Sequence, residues 1–486
     1  MTIAPAGKPE PAKAKNRRGT RRPEEEATIG ISDTKPAESG RPVDQPEQLA
    51  RRISTPLLFF FVVGDILGSG IYALVGVIAG EVGGAIWASF LIAIAFAFLI
   101  GFSYAELVTK YPKAAGASLY VNRAFNNRPL TFLVAFSLVA AGVSAAGALA
   151  QVFGGPYFQA FLNVPTLLVA ALFIVALGLI NFRGISESVR ANTIMSLIEL
   201  SGLAIILVIG AVVLFSGDAD LTRPFEFREG VNPAIATLGG ATLAFFALIG
   251  FENAVNVAEE THNPSRTYPR ALFGGLLLAS LLYLAVSFTA SMVVPTEQLA
   301  NSEGALLEVV RQGPIPVPER LFSLIALVAV SNTALVALIM ASRVLYGMAR
   351  EDVLPRVFAR THRARRTPWV AIVFTTLVAL VLLTTADVGR LADTTVVFIL
   401  IVFLLVNASV LVLRRDRVDH EHFTAPTVFP ILGILACLVL MVQIGINDIG
   451  VYAYAGVLLV IGLVFYVVNN LLRRRLDSTD STDRPR

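Results

Sequence analysis

Three acidic residues lie inside long apolar stretches of this sequence, where an ionisable side chain is unusual. Asp65 precedes a group of glycines, Glu199 lies between Ile198 and Leu200, and Glu252 follows a glycine and a phenylalanine. A charged group in the hydrocarbon of a membrane is costly, so such residues face a cavity, a partner or a proton path. Each of the three can therefore contact a cationic substrate, exchange a proton or hold a neighbouring helix.

The stretches that contain these residues are long enough to cross a bilayer. Of the 486 residues, 55% are hydrophobic and only 15% are charged, a balance that excludes an ordinary water-soluble domain of this size. Because about 20 apolar residues span the hydrocarbon core, we predict an all-α membrane protein of about twelve transmembrane helices. They are predicted at 56–80, 83–107, 130–154, 166–181, 192–216, 232–258, 271–294, 319–346, 369–386, 393–413, 426–444 and 450–472.

Basic residues cluster in alternate connectors between the predicted spans. Arg128, Arg190, Arg270 and Arg350 belong to the connectors between spans 2 and 3, 4 and 5, 6 and 7, and 8 and 9, whereas the other connectors carry few basic residues. The positive-inside rule then places both termini in the cytoplasm, with the protein in the cytoplasmic membrane of a bacterium or archaeon. Because these residues flank spans, they fit contact with lipid headgroups, and no nucleic-acid binding is expected.

The sequence divides into one membrane domain and two polar tails. Residues 1–54 are predicted to form a disordered, basic cytoplasmic tail, residues 55–472 the transmembrane domain, and residues 473–486 a second cytoplasmic tail. The chain contains no GxxxxGK[ST] loop, no HExxH motif and only one cysteine, Cys437. We therefore expect no cofactor, no metal and no ATP coupling. An enzyme is not expected either, because all four histidines fall in connectors.

Two of the predicted spans contain residues that interrupt a helix. Span 1 carries Gly64, Gly68, Ser69 and Gly70 at mid-membrane depth, and span 6 carries Gly250 two residues before its carboxylate. Such small residues either let helices pack closely or mark an unwound segment, whose second half exposes amides that can bind an anion. Two interruptions five spans apart favour a five-plus-five inverted repeat, at about 55–216 and 232–413, with peripheral helices 11 and 12 at about 426–472.

Four stretches resemble the amino acid-polyamine-organocation (APC) superfamily of permeases. They cover roughly residues 55 to 360 and comprise Gly68-Ser69-Gly70-Ile71, Tyr104-Ala105-Glu106-Leu107 with Tyr111-Pro112, Gly250-Phe251-Glu252 through Glu259-Glu260-Thr261 to Asn263-Pro264, and Ala341-Ser342-Arg343. The resemblance implies a LeuT-like fold with discontinuous helices 1 and 6. It also implies a secondary active transporter, a permease that carries amino acids by alternating access as a symporter or antiporter.

The resemblance also assigns the substrate-binding residues. The substrate carboxylate is expected at the backbone amides around Gly68, Ser69, Gly70 and Ile71 of the first break. The amino group is expected to face carbonyls of the second break, and an aromatic residue of that break to cover the substrate. These residues are Phe246, Ala247, Ile249 and Gly250, with Phe246 as the cover. Asp65 borders this pocket, where it can contact a cationic side chain, serve as a proton site or cap the break.

Two of the acidic residues are candidates for proton coupling. Some relatives place a carboxylate associated with proton-dependent opening after the second break, as Glu252 is here; the alternative is a helix-pinning hydrogen bond. Some relatives carry a lysine near Glu199 that stands in for sodium, whereas no apolar run here contains a lysine. Glu199 can take up a proton, join a cation site or lie at the membrane interface. Asn332 and Thr333 either line the pocket or bond a neighbouring helix.

The leading hypothesis is therefore an amino acid permease coupled to protons, with sodium as the other possible coupling ion. A polyamine or organic-cation carrier is the alternative within transport, favoured by an ionised Asp65. A nutrient sensor that binds without transporting is the alternative from another class.

Overall fold

The computed structural model describes residues 53–112, 116–184, 189–363 and 365–480. Most of the predicted N-terminal tail, 1–54, and the last six residues of the C-terminal tail lie outside this part. Within it, the fold is helical, with no strand and two isolated β-bridges, Ile53 with Thr261 and Gly83 with Phe227. The prediction of an all-α protein is confirmed.

The described residues form sixteen α-helices and four short 3₁₀ or π segments. The α-helices are α1 (Thr55–Ile66), α2 (Gly70–Val82), α3 (Ile86–Lys110), α4 (Gly116–Phe125), α5 (Arg128–Val152), α6 (Thr166–Arg183), α7 (Val189–Ser216), α8 (Pro233–Leu248), α9 (Pro264–Val293), α10 (Thr296–Ala300), α11 (Ala305–Gln312), α12 (Glu319–Arg350), α13 (Trp369–Thr385), α14 (Val388–Leu413), α15 (Val428–Asn447) and α16 (Gly450–Asp480). A 3₁₀ helix, Phe251–Glu260, follows α8.

Helices cover all twelve predicted apolar stretches. In the described part of the chain, ten helices are long and apolar enough to cross a membrane, and α1 with α2 forms a pair bent by 40° that supplies an eleventh span. The twelfth stretch, α13, is apolar but has 17 residues, close to the lower limit for a span. The chain is therefore a multi-pass membrane protein.

Several boundaries differ from the predicted ones. Span 7 was predicted to start at 271, whereas α9 starts at Pro264, because proline is compatible with the first turn of a helix. Span 10 was predicted from 393, whereas α14 starts at Val388. Span 6 was predicted as continuous to 258, but α8 ends at Leu248. The last helix, α16, continues past 472 into the predicted tail.

A chain that crosses a membrane repeatedly reverses its direction with each span, so alternate connectors are expected on the same side of the membrane. We call the side that holds the connectors α3–α5, α6–α7, α8–α9, α12–α13 and α14–α15 the arginine-rich side. Two helices lie at the centre of the packing: α5 packs against α12 and α14, and α3 packs against α8 and α9. α1 packs against α9, and α2 against α8, so both predicted interruptions lie inside the bundle.

Candidate binding site at two helix breaks

The first break separates α1 from α2 at residues 67–69. The backbone N–H of Ser69 donates to Thr333 Oγ1 at 3.1 Å, which ties the break to α12. A side chain on Gly68 would place its Cβ 2.6 Å from the same oxygen, and one on Gly70 would collide with Ala247. The small residues of span 1 are thus required by close contacts as well as by the unwound backbone.

The second break separates α8 from the 3₁₀ helix at residues 249–250. Ile249 is extended, and Gly250 has φ 138°, a conformation that residues with a side chain rarely adopt. A Cβ on Gly250 would collide with the carbonyl oxygen of Asp65. The Gly250 N–H donates to Glu252 Oε2 at 2.9 Å. The two breaks are therefore in contact. The Glu252 carboxylate, which follows the second break, accepts a hydrogen bond from the glycine amide of that break.

A tyrosine on α9 contacts the carbonyls of both breaks. The Tyr283 hydroxyl lies 2.7 Å from Ile66 O, to which it donates, and 3.3 Å from Ala247 O. Phe246 O accepts from the Ile249 N–H at 3.2 Å. Two carbonyls predicted to face a substrate amine thus already have a protein donor nearby, although each carbonyl oxygen retains a second lone pair.

A cavity of about 210 Å³ lies where the two breaks meet. Its wall includes nine of the predicted residues: Asp65, Gly68, Ser69, Gly70, Phe246, Ala247, Ile249, Gly250 and Glu252. Ile71 is completely buried and is not part of the wall. Gly116, Ala117 and Ser118 of α4 also contribute, so the cavity extends from the breaks toward the arginine-rich side.

The remaining wall is largely apolar and comes from α5, α12 and α14. Its residues include Leu138, Ala141, Ala145, Val336, Ala337, Met340, Val344 and Ile399. Sequence analysis could not identify them, because an all-apolar helix does not show which face turns inward. Asn332 and Thr333 do line the cavity. They also bond neighbouring segments: Thr333 accepts from the Ser69 N–H of the first break, and Asn332 donates to Glu199 on α7.

Glu199 lies behind the cavity wall. Its side chain is completely buried inside the protein. Oε1 accepts from Asn332 Nδ2 at 3.3 Å, and Oε2 forms no hydrogen bond with the described residues. The Tyr72 hydroxyl donates to the Glu199 backbone carbonyl at 2.7 Å, which joins α2 to α7. Asn332 thus connects this carboxylate to the cavity.

A fourth buried carboxylate, Asp393 on α14, was missed. It is 8% exposed, and its Oδ1 accepts from Thr242 Oγ1 of α8 at 3.0 Å. The predicted span begins at this residue, which puts Asp393 at the edge of the span instead of inside it. The preceding Leu391 and Ala392 are apolar, and this is the sequence signal that the span starts before Asp393. Asp393 lies on the side opposite the arginine-rich one, near the start of α14.

Glu106, near the end of α3, forms a salt bridge with Arg414, the first residue after α14. The carboxylate is 2% exposed and accepts from Arg414 Nε at 2.9 Å and Nη2 at 2.8 Å. The Ala425 N–H donates to the same group at 2.8 Å. This cluster joins α3 to the end of α14 and the following connector. We call it the Glu106 clamp.

The cavity wall carries two carboxylates, Asp65 and Glu252, and none of its residues is lysine, arginine or histidine. In the described part of the chain, no three acidic, histidine or cysteine side chains are grouped so that they could hold a metal. Cys437 is buried in α15. The wall can thus offer backbone groups, two carboxylates and an apolar chamber to a small molecule.

A multi-pass helical protein in which two broken spans enclose such a cavity has the architecture of a secondary transporter. The sequence model of the family described as Amino acid permease matches residues 53–466. The chain belongs to this family of amino acid transporters.

The names of individual relatives indicate different cargoes. The Branched-chain amino acid permease BcaP of Bacillus subtilis is 27% identical over 455 residues, which cover 89% of this chain and 95% of the relative. The Methylthioribose transporter of the same organism is 26% identical over 83% of this chain and 90% of its own length. The vacuolar Cationic amino acid transporter 2 of Arabidopsis thaliana is 32% identical over 77% of this chain and 61% of its own length.

Proposed function

We propose that this protein moves amino acids across the cytoplasmic membrane by alternating access, as a proton-coupled symporter or an exchanger. The observation that carries the proposal is the contact of two helix breaks at one cavity that contains a buried carboxylate, Glu252. Helix starts offer hydrogen-bond donors and unwound segments offer acceptors, so the site has one partner for each group of a zwitterion.

In this proposal the substrate carboxylate binds at the start of α2. The first four N–H groups of a helix have no partner within the helix, and the helix dipole favours an anion there. Ser69 already donates its N–H to Thr333, and Ile71 lies outside the cavity wall, so Gly70 offers the amide that faces the cavity. The ammonium group donates hydrogen bonds to carbonyls of the second break, and Phe246 covers the substrate.

Glu252 is the proposed proton acceptor because it holds the second break in shape. An ionised carboxylate accepts a hydrogen bond more strongly than a protonated one. Uptake of a proton by Glu252 therefore weakens its bond to the Gly250 N–H and loosens the break. Glu199 is the second candidate, since it is buried and connected to the cavity through Asn332.

We infer the orientation from arginine. The arginine-rich side faces the cytoplasm, with both termini there, under the positive-inside rule. Because the cavity extends toward this side, the conformation described here would be the one that releases substrate into the cytoplasm. Movement between the repeats at about 55–216 and 232–413 would alternate access, with the helices at about 426–472 at the periphery.

A cationic cargo is the second candidate, and the charges of the cavity wall favour it. Asp65 and Glu252 line the cavity, and the wall contains no basic side chain. One carboxylate can remain for coupling while the other contacts a cationic side chain or a polyamine. The name of the plant relative, Cationic amino acid transporter 2, agrees with this candidate.

The test is uptake into proteoliposomes. Twenty amino acids and several amines compete for uptake of a labelled amino acid, with an inward proton gradient, with an inward sodium gradient, and with neither. We expect saturable uptake that the proton gradient increases and that Glu252→Gln or Glu199→Gln makes independent of the gradient. Glu297→Gln, at an exposed position, is the matched control and should behave as the native protein.

Each alternative has its own outcome. Competition by amines and by amino acids with a blocked carboxyl group, lost in Asp65→Asn, would support the cation carrier. A response to sodium alone would reassign the coupling ion. Specific binding without transport under any gradient would contradict the proposal and support a sensor.

A further inference from the structure

Three tyrosines surround the 3₁₀ helix that carries Glu252. Tyr104 on α3, Tyr120 on α4 and Tyr268 on α9 are each at most 1% exposed. All three helices pack against the 3₁₀ helix. Tyr104 lines the cavity together with Glu252, and its ring lies edge-on to that of Phe251, with 6.1 Å between centroids. Three phenols from three helices thus meet beside one buried carboxylate.

Two of these hydroxyls have no protein partner in the described part of the chain. The hydroxyls of Tyr120 and Tyr268 are completely buried and form no hydrogen bond with the described residues. Tyr268 interacts electrostatically with Tyr120 and Glu252, and Tyr104 interacts with all three; together with the packing of their helices on the 3₁₀ helix, this places the four groups near one another. Buried polar groups are nearly always bonded to protein or to ordered water. Internal water is the ligand that fits these hydroxyls.

The groups that face this region make it a proton site rather than an ion-pair site. Besides the tyrosines, the Cys437 thiol on α15 interacts with Tyr104, and α14 contributes the apolar Phe403, 5.6 Å from the Tyr104 ring. Asp65 also lines the cavity. No lysine or arginine of the described residues is among the groups that act on Glu252. A proton is therefore the cation available to neutralise it.

We propose that Tyr104, Tyr120 and Tyr268 hold a chain of water molecules that carries protons between Glu252 and the arginine-rich side. α4 lies in the connector between α3 and α5, and Tyr268 lies in the second turn of α9, so the chain leads to that side. The proposal rests on the proposed role of Glu252 in coupling.

The proton transfer is balanced at each step. The Glu252 carboxylic acid gives its proton to a water molecule and becomes a carboxylate. Each tyrosine oxygen accepts one proton while its own hydroxyl proton passes to the next water, so the phenols stay neutral. One proton leaves at the arginine-rich side for each Glu252 that ionises, and the reverse sequence reprotonates it.

The test separates proton release from substrate binding. Tyr120→Phe, Tyr268→Phe and the double variant remove only hydroxyls and keep the buried rings. Reconstituted protein is assayed for amino acid uptake driven by a proton gradient, with a pH-sensitive dye inside the vesicles. It is also assayed for exchange of labelled against unlabelled amino acid at equal pH, which needs no net proton release. Tyr466→Phe, on α16, is the matched control.

We expect gradient-driven uptake and proton entry to fall about tenfold in the double variant, with exchange within about twofold of the native protein. Native uptake and proton entry in the double variant would overturn the proton path. An equal loss of uptake and exchange would assign the tyrosines a structural role and would also overturn it. Amino acid uptake by the native protein that ignores the proton gradient would refute the coupling role of Glu252 and the path together, while leaving amino acid transport itself established.

Discussion

Glu106 and Glu252 are two buried glutamates near the arginine-rich side, and they are held in different ways. Glu106 accepts three hydrogen bonds, two of them from the guanidinium of Arg414. Glu252 accepts one from the Gly250 N–H at 2.9 Å, and no lysine or arginine of the described residues forms a salt bridge with it. A buried carboxylate with a full counter-charge is fixed in its charge state, whereas one held by a backbone amide can change it. Glu106 is suited to structure and Glu252 to coupling.

The largest effect on folding is expected for Arg414→Ala. This change leaves the Glu106 carboxylate buried without its counter-charge, and breaking such a pair costs about 3–5 kcal/mol. Thermal unfolding in detergent measures the loss. The double variant Glu106→Gln with Arg414→Gln removes both charges and should lose less stability than Arg414→Ala. An Arg414→Ala protein as stable as the native one would show that the Glu106 clamp has no structural role.

Glu252→Gln is the matched change at the other glutamate. We expect the free energy of unfolding to stay within about 1 kcal/mol, because the amide oxygen still accepts from the Gly250 N–H. The same thermal measurement tests this, alongside the uptake assay. If Glu252→Gln destabilises the protein as much as Arg414→Ala, then the comparison fails and Glu252 is a scaffold residue that pins the broken helix.

Gly250→Ala tests the break that Glu252 holds. The residue has φ 138°, and its new Cβ would collide with the Asp65 carbonyl, so a loss of about 1–3 kcal/mol is expected. Gly456→Ala on α16 is the control, because a Cβ there meets open space and alanine favours a helix. A Gly250→Ala variant that matches this control in thermal unfolding would mean that the break is not rigid.

The smallest effect is expected at the exposed Asp416, which lies in the α14–α15 connector on the arginine-rich side. A hydrogen bond from Tyr111, aided by Arg123, holds the pKa of this carboxyl below its ordinary value. A lowered pKa in the folded state stabilises the protein above about pH 4 and loses that contribution as the pH falls further. Asp416→Asn should therefore lower the melting temperature slightly at pH 7, and the difference should shrink on acidification. A difference that grows in acid would contradict this.

The sequence predicted the spans and both breaks because glycines and prolines have local consequences. Gly68, Gly70 and Gly250 each stand where a side chain would collide with a neighbouring segment, so their positions reported the breaks directly. The short helices α4, α10 and α11 were not predicted, since one to three turns inside a polar connector leave no clear periodic pattern. The start of α9 was missed because prolines in a first turn resemble a loop.

The sequence predicts the part of the candidate site that backbone groups at the helix breaks form, and it does not predict the part that helix packing forms. The predicted substrate-binding residues line the cavity, apart from Ile71. The apolar wall from α5 and α12 depends on how these helices rotate against each other, which a uniformly apolar sequence does not specify. Asp393 shows the related failure: its burial depends on Thr242, a residue 151 positions away.

The sole cysteine also has a practical consequence. Cys437 is completely buried in α15, so a membrane-impermeant maleimide should find no native thiol to modify while the protein is folded. The natural chain therefore provides its own unreactive background for site-directed labelling. A single thiol introduced at Ser118, in the part of the cavity wall formed by α4, would report from which side, and in which ligand condition, the cavity opens to water.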